Sequence, residues 1–265
     1  MEQHDLPYGI HERHRFDLFL PEKAACTSGV ILFIHGGGWS DGDKSAHHAD
    51  ARYFCDLGYI CAAMNYRFVT DQLTVFDELD DITSALTAIK QRCAEYGIPI
   101  DRLILSGGSA GAHLALMYAY TRRSESPLLP VAVCAYCPPV SCNKANFLLG
   151  ISGQFEDWKY QILSKCCGVL LSKADFLQEP QQTALKNISP MEYVSESCVP
   201  TAVFHGRFDE LVPLEHVQEF VRLLTATGIR NDFLIYEQSG HPLDNDPETA
   251  LQAKQIIHRY ALEYF

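Results

Sequence analysis

Short, continuous apolar runs alternate with helical segments along most of this chain, and that rhythm limits what it can fold into more than any other feature. Val30-Ile31-Leu32-Phe33-Ile34 and Tyr59-Ile60-Cys61-Ala62-Ala63-Met64 read as strands buried on both faces, with a helix between them from Lys44 to Leu57 stopped by Gly58. The pattern continues through helix Asp77 to Tyr96 ended by Gly97, strand Leu103-Ile104-Leu105, helix Ala110 to Tyr120 and strand Val131-Ala132-Val133-Cys134. It resumes with strand Thr201-Ala202-Val203-Phe204, helix Leu214 to Thr227 stopped by Gly228, strand Phe233 to Tyr236, and helix Glu248 to Tyr264 behind Pro247. Strands joined through helices pair in parallel, because the crossover returns the chain to the same end of the sheet. Ahead of this run, Arg15-Phe16-Asp17-Leu18-Phe19-Leu20 alternates with period two and ends at Pro21, which predicts a half-exposed antiparallel strand at a sheet edge.

After Pro139 the rhythm breaks for about 60 residues, in a helix-prone stretch holding Phe147, Phe155, Trp158, Tyr160 and Phe176. The expectation is one α/β domain over residues 1–265, carrying a helical insertion or cap at 141–190. That insertion reads equally well as a surface helix pair or as a cover over a site. A chain of 265 residues buries roughly three-quarters of its unfolded surface, enough for one sizeable core.

Charge removes one class of partner. Thirty-three acidic against 21 basic side chains leave a formal charge of −12, and no basic run exceeds Arg122-Arg123, so nucleic acid would be repelled. The longest apolar stretch, Leu128 to Val140, is interrupted by Pro130, Pro138 and Pro139 and is too short to span a bilayer, so no membrane partner is expected. Met1-Glu2-Gln3-His4-Asp5 does not resemble a secretory signal, and a cytoplasmic location is the expectation. The ten cysteines include Cys55, Cys61, Cys93 and Cys134 inside apolar segments, where a free thiol behaves as a small hydrophobe. Cys134-Ala-Tyr-Cys137 has redox spacing, but Pro138-Pro139 follow where a thioredoxin-like motif would open a helix.

Two glycine-rich segments carry the chemistry. Gly107-Gly108-Ser109-Ala110-Gly111 joins a predicted strand to a predicted helix, the context in which G-x-S-x-G makes a nucleophile elbow. The turn is too tight for side chains at Gly107 and Gly111, and it sets the Ala110 amide at a helix N-terminus, where it can stabilise an oxyanion. His35-Gly36-Gly37-Gly38-Trp39 follows a strand, and its bare glycines let further amides face a substrate. A phosphate loop would want a lysine and a hydroxyl residue next, whereas Trp39-Ser40-Asp41 follow.

A serine nucleophile needs a base, and the base needs an orienting acid. Asp209 lies beyond the Thr201–Phe204 strand after His205-Gly206, and His241 lies in Ser239-Gly240-His241 just past the last strand, which is the chain order this arrangement requires. Glu210 is the rival acid, and His113, His216 and His258 fall inside helical patterns.

On these residues the chain resembles an α/β-hydrolase of the hormone-sensitive-lipase-like esterase group, and within it the family of bifunctional feruloyl and acetyl xylan esterases. The likeness runs through Arg15 to Pro21, His35 to Trp39 with Gly42-Asp43-Lys44, Asn65-Tyr66-Arg67, Asp81, Tyr96-Gly97-Ile98, Gly107 to Gly111, and His205-Gly206-Arg207-Phe208-Asp209. It implies an α/β-hydrolase fold with a mostly parallel central sheet of about eight strands flanked by helices and a cap-like insertion. It further implies Ser109, Asp209 and His241 as the triad and Gly37, Gly38 and Ala110 as the oxyanion donors. Trp39 and Gly108 are expected to touch substrate, while Gly42-Asp43-Lys44 is expected to cap a helix.

The expected activity is hydrolysis of small or short-acyl carboxylic esters through an acyl-enzyme, with no metal or organic cofactor and a small-molecule ester as partner. An amide or formamide hydrolase of arylformamidase type would use the same triad, and a binding module on this scaffold would have lost part of it. A homodimer is left open.

Overall fold

The computed structural model describes residues 1–23, 28–145, 147 and 156–265. Phe155 and Cys26 lie outside the described residues. The strands are β1 (Glu2–Pro7), β2 (Arg15–Phe19), β3 (Gly29–Ile34), β4 (Ile60–Met64), β5 (Arg102–Gly108), β6 (Leu129–Tyr136), β7 (Thr201–Gly206) and β8 (Asn231–Tyr236). They form one eight-stranded sheet in the order β1-β2-β4-β3-β5-β6-β7-β8, antiparallel at the β1-β2-β4 end and parallel from β4 to β8. The parallel sheet expected from the alternation is present, within the eight-stranded α/β-hydrolase architecture that the resemblance implies.

Successive side chains of a strand point to opposite faces, and each face has its own helices. Leu32, Ile34, Leu103 and Leu105 pack with α2 (Val75–Glu95), α3 (Ala110–Thr121) and α6 (Leu214–Ala226). Ile31, Phe33, Ile104 and Phe204 pack with α1 (His48–Asp56) and α7 (Pro247–Tyr264). Helix α3 is apolar around nearly its whole circumference and is buried from Ala110 to Ala119, because it runs beneath the insertion as well as against the sheet. The insertion between β6 and β7 contributes α4 (Glu156–Cys167), α5 (Gln181–Asn187) and a 3₁₀ turn at Pro190–Tyr193.

The strand at Arg15–Phe19 is not an edge. β1 pairs outside it, and Phe16 through Phe19 are all buried. The polar member of the alternation, Asp17, is covered because Lys44 Nζ (3.0 Å), His48 Nε2 (2.6 Å) and the Asp5 amide (2.7 Å) converge on its carboxylate. β1 itself is polar, bulged between Gln3 and Leu6, and turned at Asp5 with φ 56°, so it carries no period-two signal. The helix predicted from Lys44 begins as a 3₁₀ turn, Lys44–His47, which Asp43 caps by accepting from the Ser45 amide at 2.9 Å.

Candidate active site

Ser109 sits between β5 and α3 with φ 53° and ψ −120°, a strained conformation for a residue with a side chain. The surroundings leave it no alternative. A Cβ on Gly111 would lie 2.0 Å from the Ile34 carbonyl oxygen, and one on Gly107 would lie 2.6 Å from the Gly111 carbonyl. The turn is pinned from both sides by Ser109 N–H donating to Tyr136 O (2.8 Å) and His113 N–H donating to Ser109 O (3.0 Å).

The glycine loop after β3 turns through left-handed backbone at Gly37 (φ 111°), Gly38 (φ 57°) and Trp39 (φ 59°). Gly37 and Gly38 line a cavity of about 530 Å³ together with Ser109 and His241. The loop is braced by Arg13, which the sequence reading missed, and by two residues of the shared motifs. Arg13 donates to Tyr66 O (2.7 Å) and Gly42 O (3.0 Å), and His35 stacks on Tyr66 with ring centroids 4.3 Å apart. Burial pushes the His35 ring down to about 4 despite its bond to Gly36 O, so the imidazole is neutral and accepts from Arg13 through Nε2 (3.2 Å). The shared motif residues hold the same frame: Asn65 bonds the Lys44 amide (2.7 Å) and Asp43 (2.8 Å), and Arg67 grips the buried Asp81 carboxylate at 2.7 Å.

Asp209 and His241 come from adjacent loops after β7 and β8. A Cβ on Gly206 would lie 2.2 Å from Gly240 O, so these loops touch through bare backbone, and Phe208 N–H donates to Ser239 O at 3.0 Å. Ser239 Oγ in turn donates to Asp246 at 2.5 Å, which braces the histidine loop. Asp209, only 1% exposed, accepts from His241 Nδ1 at 2.8 Å through one oxygen and from the Leu211 and Val212 amides at 2.9 and 2.8 Å through the other. Burial opposes its charge, but the hydrogen bond from His241, the nearness of the His241 and His205 rings and the Val212 amide outweigh burial and hold the carboxyl below its usual range. Glu210 is exposed and has no such partner set.

Ser109 and His241 border the same two cavities, and among the described residues no direct hydrogen bond joins them. Contacts of this kind are commonly long until a reacting substrate tightens them. The first cavity is walled on the far side by Trp158, Lys159, Ile162 and Leu163 of α4. Lys159 is buried there, donating to Leu211 O (2.7 Å) and Phe147 O, and burial pushes its ammonium down to about 8 against the pull of Asp209. Lys159 stands with Ile162, Leu163 and Cys166 on the buried face of α4, a spacing that the sequence reading did not use. Trp39 also lines this cavity, and its indole N–H donates to His113 Nδ1 at 3.1 Å. His113 is a buried connector, bonded through Nε2 to Ile188 O (2.7 Å), while His216 and His258 lie in α6 and α7. The second cavity, about 550 Å³, opens past Gly108 toward His47, Asp50 and Lys254.

The BD-FAE family model matches residues 16–224, a span that takes in the glycine loop, the serine elbow and the acid. The chain belongs to the BD-FAE family. Among curated relatives, the probable carboxylic ester hydrolase LipM of Mycobacterium tuberculosis is 28% identical over 224 residues, covering 82% of this chain and 50% of LipM. The isoprenylcysteine alpha-carbonyl methylesterase ICME of Arabidopsis thaliana is 25% identical over 246 residues, covering 88% and 55% respectively. The chain thus spans about half the length of the curated relatives it matches. Solved structures share the fold of this BD-FAE chain. A truncated carbohydrate esterase from gut microbiota aligns with TM-score 0.76 at 17% identity, covering 99% of this chain and 96% of that one. Esterase Est2 of Thermogutta terrifontis aligns with TM-score 0.72 at 22% identity, covering 97% and 93%. These relatives and neighbours are named as carboxylic ester hydrolases or esterases. No helix among the described residues is long and apolar enough to cross a membrane.

Proposed function

We propose that this chain is a serine carboxylic ester hydrolase acting through an acyl-enzyme. The observation that carries the reading is the buried Asp209 carboxylate bonded at 2.8 Å to Nδ1 of a histidine that shares a cavity with the strained Ser109. That bond holds the Nδ1 proton, leaving Nε2 free to take the proton of Ser109 as the hydroxyl attacks an ester carbonyl. The oxyanion forms beside the Gly37, Gly38 and Ala110 amides, each correctly aimed donor being worth on the order of 3 kcal/mol of barrier. His241 then protonates the leaving alcohol, and water repeats the sequence on the acyl-serine. The insertion serves as the cap of this site, with α4 closing the apolar side of the cavity.

A cavity of about 530 Å³ suits small esters. Hydrolysis of p-nitrophenyl acetate, butyrate and octanoate by wild type and Ser109→Ala tests the proposal. Short-chain turnover that falls about 10⁴-fold or more in the variant is the expected result. Equal turnover by a folded Ser109→Ala protein would remove the serine from the mechanism.

A further inference from the structure

Beside the acid–histidine pair lies a thiol that ester hydrolysis does not use. Cys137 follows β6 in the left-handed region at φ 48°, with its amide held to Phe204 O at 2.8 Å. Its Sγ donates to His241 O at 3.6 Å. The sulfur, a carboxylate oxygen of Asp209 and a ring nitrogen of His241 all lie within 4.8 Å of one another. The nitrogen on the Asp209 side is Nδ1. Burial, and then the charge of Asp209, keep this thiol protonated, so Cys137 is not a second nucleophile. Cys137 and His241 nevertheless border the second cavity, which gives a small ion a route to them.

We propose that Cys137, Asp209 and His241 form an inhibitory site for a soft divalent cation such as Zn²⁺ or Cd²⁺. One sulfur, one imidazole nitrogen and one carboxylate oxygen with a fourth position toward a cavity is a donor set zinc accepts readily. Bonds of the usual length place tetrahedral nitrogen, oxygen and sulfur donors roughly 3.3–3.8 Å apart, so on binding the sulfur draws in while the ring and carboxylate part from their present 2.8 Å. As the metal–sulfur bond forms, the thiol proton passes to solvent. The metal takes the place of the Nδ1 proton between ring and carboxylate, and that proton moves to Nε2, which leaves the imidazole neutral. Nε2 then already carries the proton it would have to accept from Ser109, and turnover stops. The other such group among the described residues, His4, Asp17 and His48, already has a cation in place, because Lys44 Nζ stands 3.0 Å from Asp17 Oδ2.

The inhibitory consequence rests on the esterase reading, whereas the site itself does not, and two measurements keep them apart. Ester hydrolysis is titrated with ZnCl₂ in a non-chelating buffer for wild type, Cys137→Ala and Cys137→Ser, each against its own metal-free rate. Inhibition reversed by EDTA, and weakened about tenfold or more in both variants, is expected. Equal sensitivity in all three proteins overturns the site. In the second arm, Cd²⁺ is added to Ser109→Ala and to Ser109→Ala/Cys137→Ala while the ultraviolet thiolate-to-cadmium band is followed. A saturable band present only when Cys137 is present supports the site whatever the enzyme hydrolyses. An identical response from both proteins overturns it.

Discussion

The loops after β3, β5, β7 and β8 and the insertion between β6 and β7 form opposite walls of one cavity, and they are held by different forces. The loop wall is set by backbone: glycines at 107, 111 and 206 stand where a Cβ would collide with main-chain atoms. The insertion wall is set by side chains, with Trp158 of α4 lying over Gly38 and the buried Lys159 tied to the carbonyl of Leu211. A backbone-built wall tolerates almost no change at a few positions, whereas a side-chain-built wall can be varied. On the proposed mechanism, that difference separates the chemistry, which has to be constant, from selectivity, which does not.

The sharpest way to break the contrast is at the elbow. Gly111→Ala adds a methyl 2.0 Å from Ile34 O at the end of β3 and 2.5 Å from His35 O just beyond it, backbone atoms that cannot move aside. Overpacking against such atoms costs on the order of 3 kcal/mol or more. Loss of soluble protein or of measurable turnover is expected, whereas a normal melting curve with full activity would show that the elbow can relax. The next largest effect is electrostatic. Asp209→Asn keeps the shape but lets Nδ1 lose its proton, and kcat should fall about 10³- to 10⁴-fold. Glu210→Gln, one residue on but exposed, should stay within about twofold. Full activity in Asp209→Asn would move the orienting role elsewhere.

What could be read in the sequence follows the same division. Sheet, helices, elbow and the acid–histidine order were legible because glycine spacing and apolar runs are local marks of backbone demands. Asp209 and His241 were found from their loops alone and meet at 2.8 Å. Arg13 and Lys159 left little local mark, and Cys137 showed only a redox spacing, since their positions at the site come from contacts with residues distant in the chain, such as Arg13 with Gly42 and Lys159 with Leu211. The edge strand β1 was hidden for a related reason. Its residues are mostly exposed, and what it buries is the neighbouring Asp17 rather than its own side chains.

Gly38 is where the two walls meet, and it permits a direct measurement of their coupling. A Cβ there would lie 2.6 Å from the Trp158 ring, the movable end of a side chain that is 41% exposed, and the backbone sits at φ 57°. Gly38→Ala should lower kcat/KM about 10- to 100-fold, partly by displacing Trp158 and partly by left-handed strain of about 1 kcal/mol. Trp158→Ala should change acyl-chain preference more than turnover, and in the double variant it should recover the steric share alone. A double-mutant cycle with a coupling of about 0.5–3 kcal/mol is expected. Strict additivity would mean that the tryptophan does not bear on the oxyanion loop.

The smallest expected effect tests stability at the seam between α2 and the insertion. Glu78 of α2 is 1% exposed, and among the described residues no hydrogen bond of good geometry reaches either carboxyl oxygen, the Val69 backbone giving only a weak one. Glu78 lies close to Cys166 of α4. Burial, followed by the charges of Asp81 and Asp77, pushes Glu78 far above the ordinary carboxyl value of 4.5, so the folded protein carries it neutral. The unfolded chain releases the proton once the pH passes that ordinary value. Folded protein therefore binds more protons than unfolded, and stability falls as pH rises, by at most about 1.4 kcal/mol per pH unit from this group. Its contribution is complete below 4.5 and declines above it. Glu78→Gln cannot ionise in either state, so its melting temperature should approach that of wild type near pH 4 and exceed it at pH 8, with turnover little changed. A wild-type advantage that grows with pH would mean that Glu78 is ionised in the fold and held by a cation, which would make the seam polar rather than a continuation of the core.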